Sequence, residues 1–215
     1  MEINWYGHSC FKISGRGTST VVCDPYDSEI VGYTPLKMKA DIVTVSHESP
    51  SHNALKSIKG DAYMVDGPGE YEVGGVFVTG LSTDKRKKNG KDYPVNTLYL
   101  IDYFGINIAH LGDMMYVPTQ TEVESLGPVH IALVPIGGGG ALNATKASEV
   151  ISLFEPNIVI PMHYATSESK ADLEPIGKFL KVMGLSEVET LPSFSESDPN
   201  KLPEETKVVV LDFPH

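Results

Sequence analysis

Apolar positions in this chain come in short runs. Phe11–Ile13, Thr20–Cys23, Ile42–Val45, Ala62–Val65, Tyr71–Val73, Val76–Thr79, Thr97–Asp102, Ile106–His110, Ile131–Val134, Ile158–Ile160 and Lys207–Leu211 read as strands. Gly74-Gly75 between two of them is a two-residue hairpin signal, and Gly105 marks a second hairpin. Helical spacing is rarer. Thr119 to Leu126 opens with a capping-box spacing, Thr119 and Glu122, and stops at Gly127. Ala144 to Phe154 puts Ala147, Val150, Ile151 and Phe154 on one face and ends before Pro156. Asp172 to Met183 carries Leu173, Ile176, Phe179, Leu180 and Met183 on one face, with Gly184 as the stop; a short helix is expected from Asn53 to Ile58. Hairpins fill the first half, and helices alternate with buried strands in the second. The pattern predicts an α/β chain of two sheets packed face to face with helices outside. The halves divide near residues 84–95, and the basic segment there reads as a solvated hairpin tip with an Asn89-Gly90 turn.

The ends of the strands carry the chemistry. TVVCDP runs into Asp24, DIVTVSH into His47, NIAHLGD into His110 and Asp113, IALVPIGGGG into glycines, and NIVIPMHY into His163. Ligands of open α/β sheets bind beyond the carboxyl ends of strands, so one shared site at one edge is expected. His8, His47, His52, His110 and His163 all lie in or near such contexts. Each alone is as readily a hydrogen-bonded core residue. Together, imidazoles beside a carboxylate make a site for one divalent ion with a position left for water.

Composition narrows the partners. The chain has 215 residues, 41% hydrophobic and 21% charged, with a net charge of −11. Such acidity repels phosphate backbones and anionic membranes, so no nucleic-acid or membrane partner is expected, and a small-molecule substrate is. Without an apolar start or a spanning segment, the expected location is cytoplasmic. Cys10 and Cys23 read as buried free thiols. Gly137–Gly140 lacks the lysine of a phosphate-binding loop, since Lys146 comes too late, and reads as a loop passing close to the site.

The ordered set WYGHSCFKI, DPY at Asp24, VSHESPSHN, GPGEYEVGGVFVTG, AHLGD and VPIGGGG…EPNIVIPMHY resembles the metallo-β-lactamase superfamily, in its branch of metal-dependent hydrolases near ascorbate-6-phosphate lactonase. The resemblance runs along essentially all of residues 1–215 and implies a single domain, a four-layered αββα sandwich, with a mono- or dinuclear metal site at one edge. The family signature H-x-H-x-D-H falls on His47-Glu48-Ser49-Pro50-Ser51-His52, where serines replace the middle His and the Asp. The next family histidine is missing; Ser82, Thr83 and Asp84 occupy its region. The bridging aspartate matches Asp113 and the last histidine His163. The resemblance therefore implies one ion at His52, Asp113 and His163. Zinc is the first choice, with manganese or iron as alternatives. His47 is left as a base, weak ligand or substrate contact, and His47 with Asp113 as the catalytic pair.

The resemblance implies His8 as a fourth ligand or a substrate contact, and it reads equally as a histidine holding the first turn by a hydrogen bond to backbone; Asp24, His110, Ser49 and Ser51 are expected to touch substrate or orient the ligands, and Asp84 is the one residue left in the region of the missing donor, a poor substitute for it. Glu48 and Glu70 read as solvated or turn-capping, and His130 and His215 have no supporting context. The activity so implied is hydrolysis of an ester, lactone, amide or phosphoester by a metal-activated water. The altered signature leaves open a non-catalytic member of the fold, without metal, binding a ligand or a partner chain.

Overall fold

The structure is a computed structural model describing residues 1–83, 87–88, 91–92 and 95–213. Asp84, the expected Asn89-Gly90 turn and His215 lie outside the described residues; Lys87–Lys88 pairs antiparallel with Lys91–Asp92. Two sheets dominate. The first, of six strands, runs in the order Phe194–Ser195, Glu2–Trp5, Phe11–Ser14, Val21–Cys23, Ile42–Thr44, Tyr63–Val65. The second, of eight, runs Glu189–Leu191, Lys207–Leu211, Ile158–Met162, Ile131–Pro135, Ile106–His110, Asn96–Tyr103, Val76–Thr83, Gly69–Val73. The chain passes from the first sheet to the second between Val65 and Gly69.

Alternation along the strands builds the layers. Val21, Cys23 and Ile42 face the core shared by both sheets, whereas Val22 and Val43 point to a smaller cluster on the outer face of the first sheet. Across the shared core, the Tyr99 hydroxyl donates to the carbonyls of Val45 and Val65, and the Tyr103 hydroxyl to Ser19. α2 (Gln120–Leu126), α3 (Ala144–Phe154) and α4 (Ile176–Val182) belong to the second sheet's side, with Leu126, Val150 and Phe179 in the main core. The first sheet's outer layer is thin: the one-turn α1 (Ser28–Val31), a 3-10 turn at Leu55–Ser57 and coil. The order is helix, sheet, sheet, helix, as expected.

The capping box of α2 forms as its spacing predicts: Thr119 Oγ1 accepts from the Glu122 N–H, and the Glu122 carboxylate accepts from the Thr119 N–H. α3 has the predicted bounds. The helix expected from Asp172 starts only at Ile176. Residues 172–175 stay outside the helix because their backbone is engaged elsewhere: the Glu174 N–H donates to Gly137 O, and its carbonyl accepts from the Ala165 N–H. Pro175, which restricts the residue before it to extended conformations, then serves as the N-cap.

Parallel pairing in each sheet brings the strand ends together. Val21–Cys23, Ile42–Thr44 and Tyr63–Val65 run parallel, as do Ile106–His110, Ile131–Pro135 and Ile158–Met162. The two sets of carboxyl ends meet along one edge, joined by the bonds from Thr97 N–H to Ser46 O and from His163 N–H to His8 O.

Candidate metal centre

Backbone strain concentrates at this edge. Of the five described non-glycine residues with positive φ, three are His8 (51°), Asp24 (44°) and His163 (51°), each just beyond a strand or its turn. The left-handed conformation costs energy outside glycine, and such residues cluster where a site over-determines them. At His8 the carbonyl accepts from both the Trp5 indole N–H and the His163 N–H, which fixes the turn and joins the two sheets.

Four imidazoles and one carboxylate converge here. The carboxylate of Asp113 is split between its neighbours: Oδ1 lies 3.2 Å from His52 Nε2 and 3.4 Å from His163 Nε2, and Oδ2 lies 3.8 Å from His47 Nε2. The His8 ring lies 4.5 Å from the His163 ring and 4.9 Å from that of His52. Two triads have donor atoms within 4.8 Å of one another, His8–His52–His163 and His47–His52–Asp113. His52 belongs to both.

Both nitrogens of His8, Nε2 of His52, Nδ1 of His163 and Oδ1 of Asp113 are buried and make no hydrogen bond. The 3.2 Å approach of His52 to Asp113 is thus a charge contact without an aligned hydrogen bond. Buried polar atoms without partners are costly, and five in one spot call for something to satisfy them. A divalent cation with nitrogen and oxygen donors fits that need.

Charge on the cluster is set by its own members. Burial opposes charging His52, yet the adjacent Asp113 outweighs it and holds the imidazole above its ordinary value. Burial also opposes the Asp113 charge, but His52 and His163 keep its carboxyl well below the usual range. Burial lowers His8, His47 and His163, reinforced by the other imidazoles. Neutral imidazole is the form that ligates metal.

Partners behind the cluster set its tautomers. The Ser46 hydroxyl donates to Asp24 Oδ2 at 2.6 Å, and the Ser46 N–H donates to Oδ1 at 2.7 Å. A hydroxyl has one proton, so at 3.0 Å it accepts from His47 Nδ1–H, leaving the lone pair of His47 on Nε2, facing the site. Ser49 Oγ, Ser51 Oγ and His52 Nδ1 form a chain with steps of 2.8 Å and 2.8 Å, which turns His52 Nε2 inward. Asn96 accepts the Asp113 N–H and donates to Leu111 O, fixing the loop that carries the carboxylate. Gly112, at φ 54°, permits that turn; a Cβ there would stand 2.4 Å from Asn96 Oδ1 and 2.5 Å from Ser46 Cβ.

His47, His52, Asp113 and His163 are thus brought together as the sequence suggests, and His8 joins them with both ring nitrogens free. His110 stays out: Nδ1 accepts from the Gly112 N–H and Nε2 therefore donates to Ser9 O. Asp24 is fully buried and occupied by Ser46, with Oδ2 3.9 Å from His52 Nε2. Ser49 and Ser51 do not vacate the altered signature; they hold the His52 ring. The sequence reading missed Ser46 and Asn96, whose only signals are a serine before His47 and an asparagine opening an apolar strand. Glu48 and Glu70 are exposed, and His130 Nδ1 accepts from Asn107 N–H away from the cluster. Cys10 and Cys23 are buried free thiols.

The cluster floors a cleft of about 590 Å³, walled by Ile30 and Val31 of α1, Ser49 and Ser51, Gly139, and Ala171–Leu173. In the glycine loop, the N–H groups of Gly137 and Gly138 are spent on His163 O and Leu142 O.

Residues 2–163 match the model of the beta-lactamase superfamily domain. The chain is 32% identical to a UPF0173 protein of Pyrococcus furiosus over 84% of this chain and 91% of that one. It is 27% identical to a UPF0173 metal-dependent hydrolase of Thermoplasma acidophilum over 77% and 84%. Among solved structures, a candidate zinc-dependent hydrolase of the metallo-beta-lactamase superfamily from Thermotoga maritima superposes with a TM-score of 0.79 at 34% identity, covering 99% of both chains. The diiron β-hydroxylase CmlA of Streptomyces venezuelae shares the fold at a TM-score of 0.59 and 14% identity; this chain covers 52% of it.

Proposed function

The chain belongs to the metallo-beta-lactamase superfamily, and from that premise we propose that it is a hydrolase whose divalent ion is held by His52, Asp113 and His163, with His8 as a further nitrogen donor. The observation that carries this reading is the set of five buried, unpartnered donor atoms on His8, His52, His163 and Asp113. A fold that also serves a hydroxylase does not by itself select hydrolysis. The kinship with metal-dependent hydrolases and the composition of the donor set favour it. Histidine nitrogens with one carboxylate and no thiolate suit zinc, our first choice, and also manganese or iron.

When bound, the ion supplies a Lewis acid that lowers the pKa of water and polarises the scissile group. The remaining work falls to the chain. His47 presents an unprotonated Nε2 to the cleft, because Asp24 and Ser46 hold its proton on Nδ1. It is neutral near pH 7 and placed to take a proton from a water attacking the substrate. Asp113, with one oxygen toward His52 and His163 and the other toward His47, keeps the base and the donor group in register. Residues 1–215 act as one catalytic domain. The bond cleaved is that of an ester, lactone, amide or phosphoester.

Metal content by mass spectrometry tests this, on protein purified without chelator and after incubation with zinc or manganese. About one ion per chain is expected, lost in Asp113→Ala. About two ions would make His47 a ligand rather than a base. No retained ion in either protein would overturn the hydrolase reading in favour of a non-catalytic ligand-binding protein.

A further inference from the structure

We propose that the cleft selects an uncharged substrate with an apolar acyl portion, seated against Ile30, Val31 and Leu173, an inference resting on the hydrolase reading above. Besides the donor residues, Ser49, Ser51, Gly139 and Asp172, the cleft is lined by four apolar side chains. Ile30 is 55% exposed, beside buried Val31, and both line the cleft together with Ala171 and Leu173. An isoleucine left half in water at the mouth of a polar cluster is not explained by packing, since its neighbour Val31 already buries the apolar face of α1.

What the cleft lacks points the same way. Among the described residues no lysine or arginine lines it, and its carboxylates are Asp113 and Asp172. Recognition of phosphate or another dianion draws on cationic forks or on free backbone N–H groups. The lysine beside the rim, Lys170, directs Nζ to the carbonyl of Glu29. The amides of Gly137 and Gly138 are already bonded, Gly139 is the one glycine of that loop on the cleft, beneath Leu173, and Asp27 caps the first turn of α1. A phosphorylated group would meet Asp172 with no countercharge from a side chain.

The rim is also built to hold shape. The Lys170 N–H donates to Val31 O, and Glu174 is bonded through both its backbone groups to Gly137 and Ala165. Leu173 lies over Gly139, where a Cβ would stand 2.4 Å from its Cδ2. An apolar seat that is formed beforehand rewards chain length. Each buried methylene is worth about 0.8 kcal/mol, or roughly fourfold in affinity.

The test uses the zinc-loaded full chain and two independent readings. In the first, butanamide and hexanamide are titrated and binding is followed by NMR. Hexanamide should bind roughly 15-fold more tightly, and Ile30→Ser or Leu173→Ser should bring the ratio toward one, with Ile30→Leu restoring it. Equal binding of the two amides, or a ratio unmoved by both serine variants, overturns the proposal whether or not the protein turns anything over. In the second, hydrolysis of 4-nitrophenyl acetate, butanoate and hexanoate is compared with 4-nitrophenyl phosphate. Rising kcat/KM along the ester series, with phosphate the poorest, supports the apolar seat. Phosphate as the preferred substrate overturns it while leaving the metal-hydrolase reading intact. Turnover of none of the four, with the amide ratio as expected, keeps the seat and removes ester and phosphoester hydrolysis from the reading.

Discussion

Asp24, Ser46 and His47 form a relay in which each atom has one permitted role. The carboxylate accepts, the hydroxyl donates its single proton to it, and the imidazole must donate to the hydroxyl. Ser46→Ala breaks the relay at its centre, leaves Asp24 and His47 without that partner, and lets His47 carry its proton on the wrong nitrogen. A 10–100-fold loss of hydrolytic rate is expected, with zinc content retained because His52, Asp113 and His163 are untouched. Comparing kcat with metal content per chain checks this; a loss of zinc in step with rate would make Ser46 a support of the ion rather than of the base. The sequence places His47, Asp113 and His163 in the site because each terminates an apolar strand. Ser46 and Asn96 could not be read that way. Their roles rest on hydrogen bonds to residues 22 and 17 positions distant, which no local pattern encodes.

Elements that obey local rules were legible. α2 begins where its capping box puts it, and α3 ends at Phe154, with Glu155 as the cap before Pro156. Thr119→Ala removes the hydroxyl that accepts the Glu122 N–H at an exposed helix start, and should cost about 1 kcal/mol. Thermal unfolding should shift down by roughly 2–4 °C, with metal content unchanged. The stretch before α4 shows the limit of the same rules. Its apolar spacing continues back to Leu173, so periodicity extends the helix to Asp172. In the fold, Glu174 is instead bonded to Gly137 and Ala165, two loops at the rim of the cleft, and Leu173 covers Gly139. Tertiary hydrogen bonds outweigh a helical preference worth a fraction of a kcal/mol per residue. The edge strands Glu189–Leu191 and Phe194–Ser195 escaped notice for a related reason. They are short, largely exposed, and exist only because a distant strand is there to pair with.

At the scale of the molecule, the two apolar clusters, with Cys23 and Tyr103 between the sheets and Cys10 on the outer face of the first, hold groups that resist ionisation. Burial pushes the Cys23 thiol up to about 12, that of Cys10 well above its ordinary value, and the Tyr103 phenol up to about 12. The folded chain therefore keeps protons that the unfolded chain gives up above pH 9 for the thiols and pH 10 for the tyrosine. Their contribution to stability is complete below pH 9 and is lost as pH rises toward 12. The expected slope is at most about 1.4 kcal/mol per pH unit for each group. Urea unfolding at pH 8, 10 and 11 should show a falling midpoint; an unchanged midpoint at pH 11 would mean the thiols reach water.

The sequence by itself determined most strands of the two sheets, the order of their endings and the residue types carried there. These follow from alternation, turn residues and the polarity of single positions, all of which act over a few residues. That was enough to foresee two facing sheets and a metal-suited group of histidines with Asp113. Only the tertiary structure decided which of those histidines face one another. His8 enters the cluster because its left-handed turn is bonded to His163, and His110 is excluded because Ser9 and Gly112 take both its nitrogens. Distances between strand ends depend on how two sheets meet at an edge, and that is a property of the packed core rather than of any segment within it.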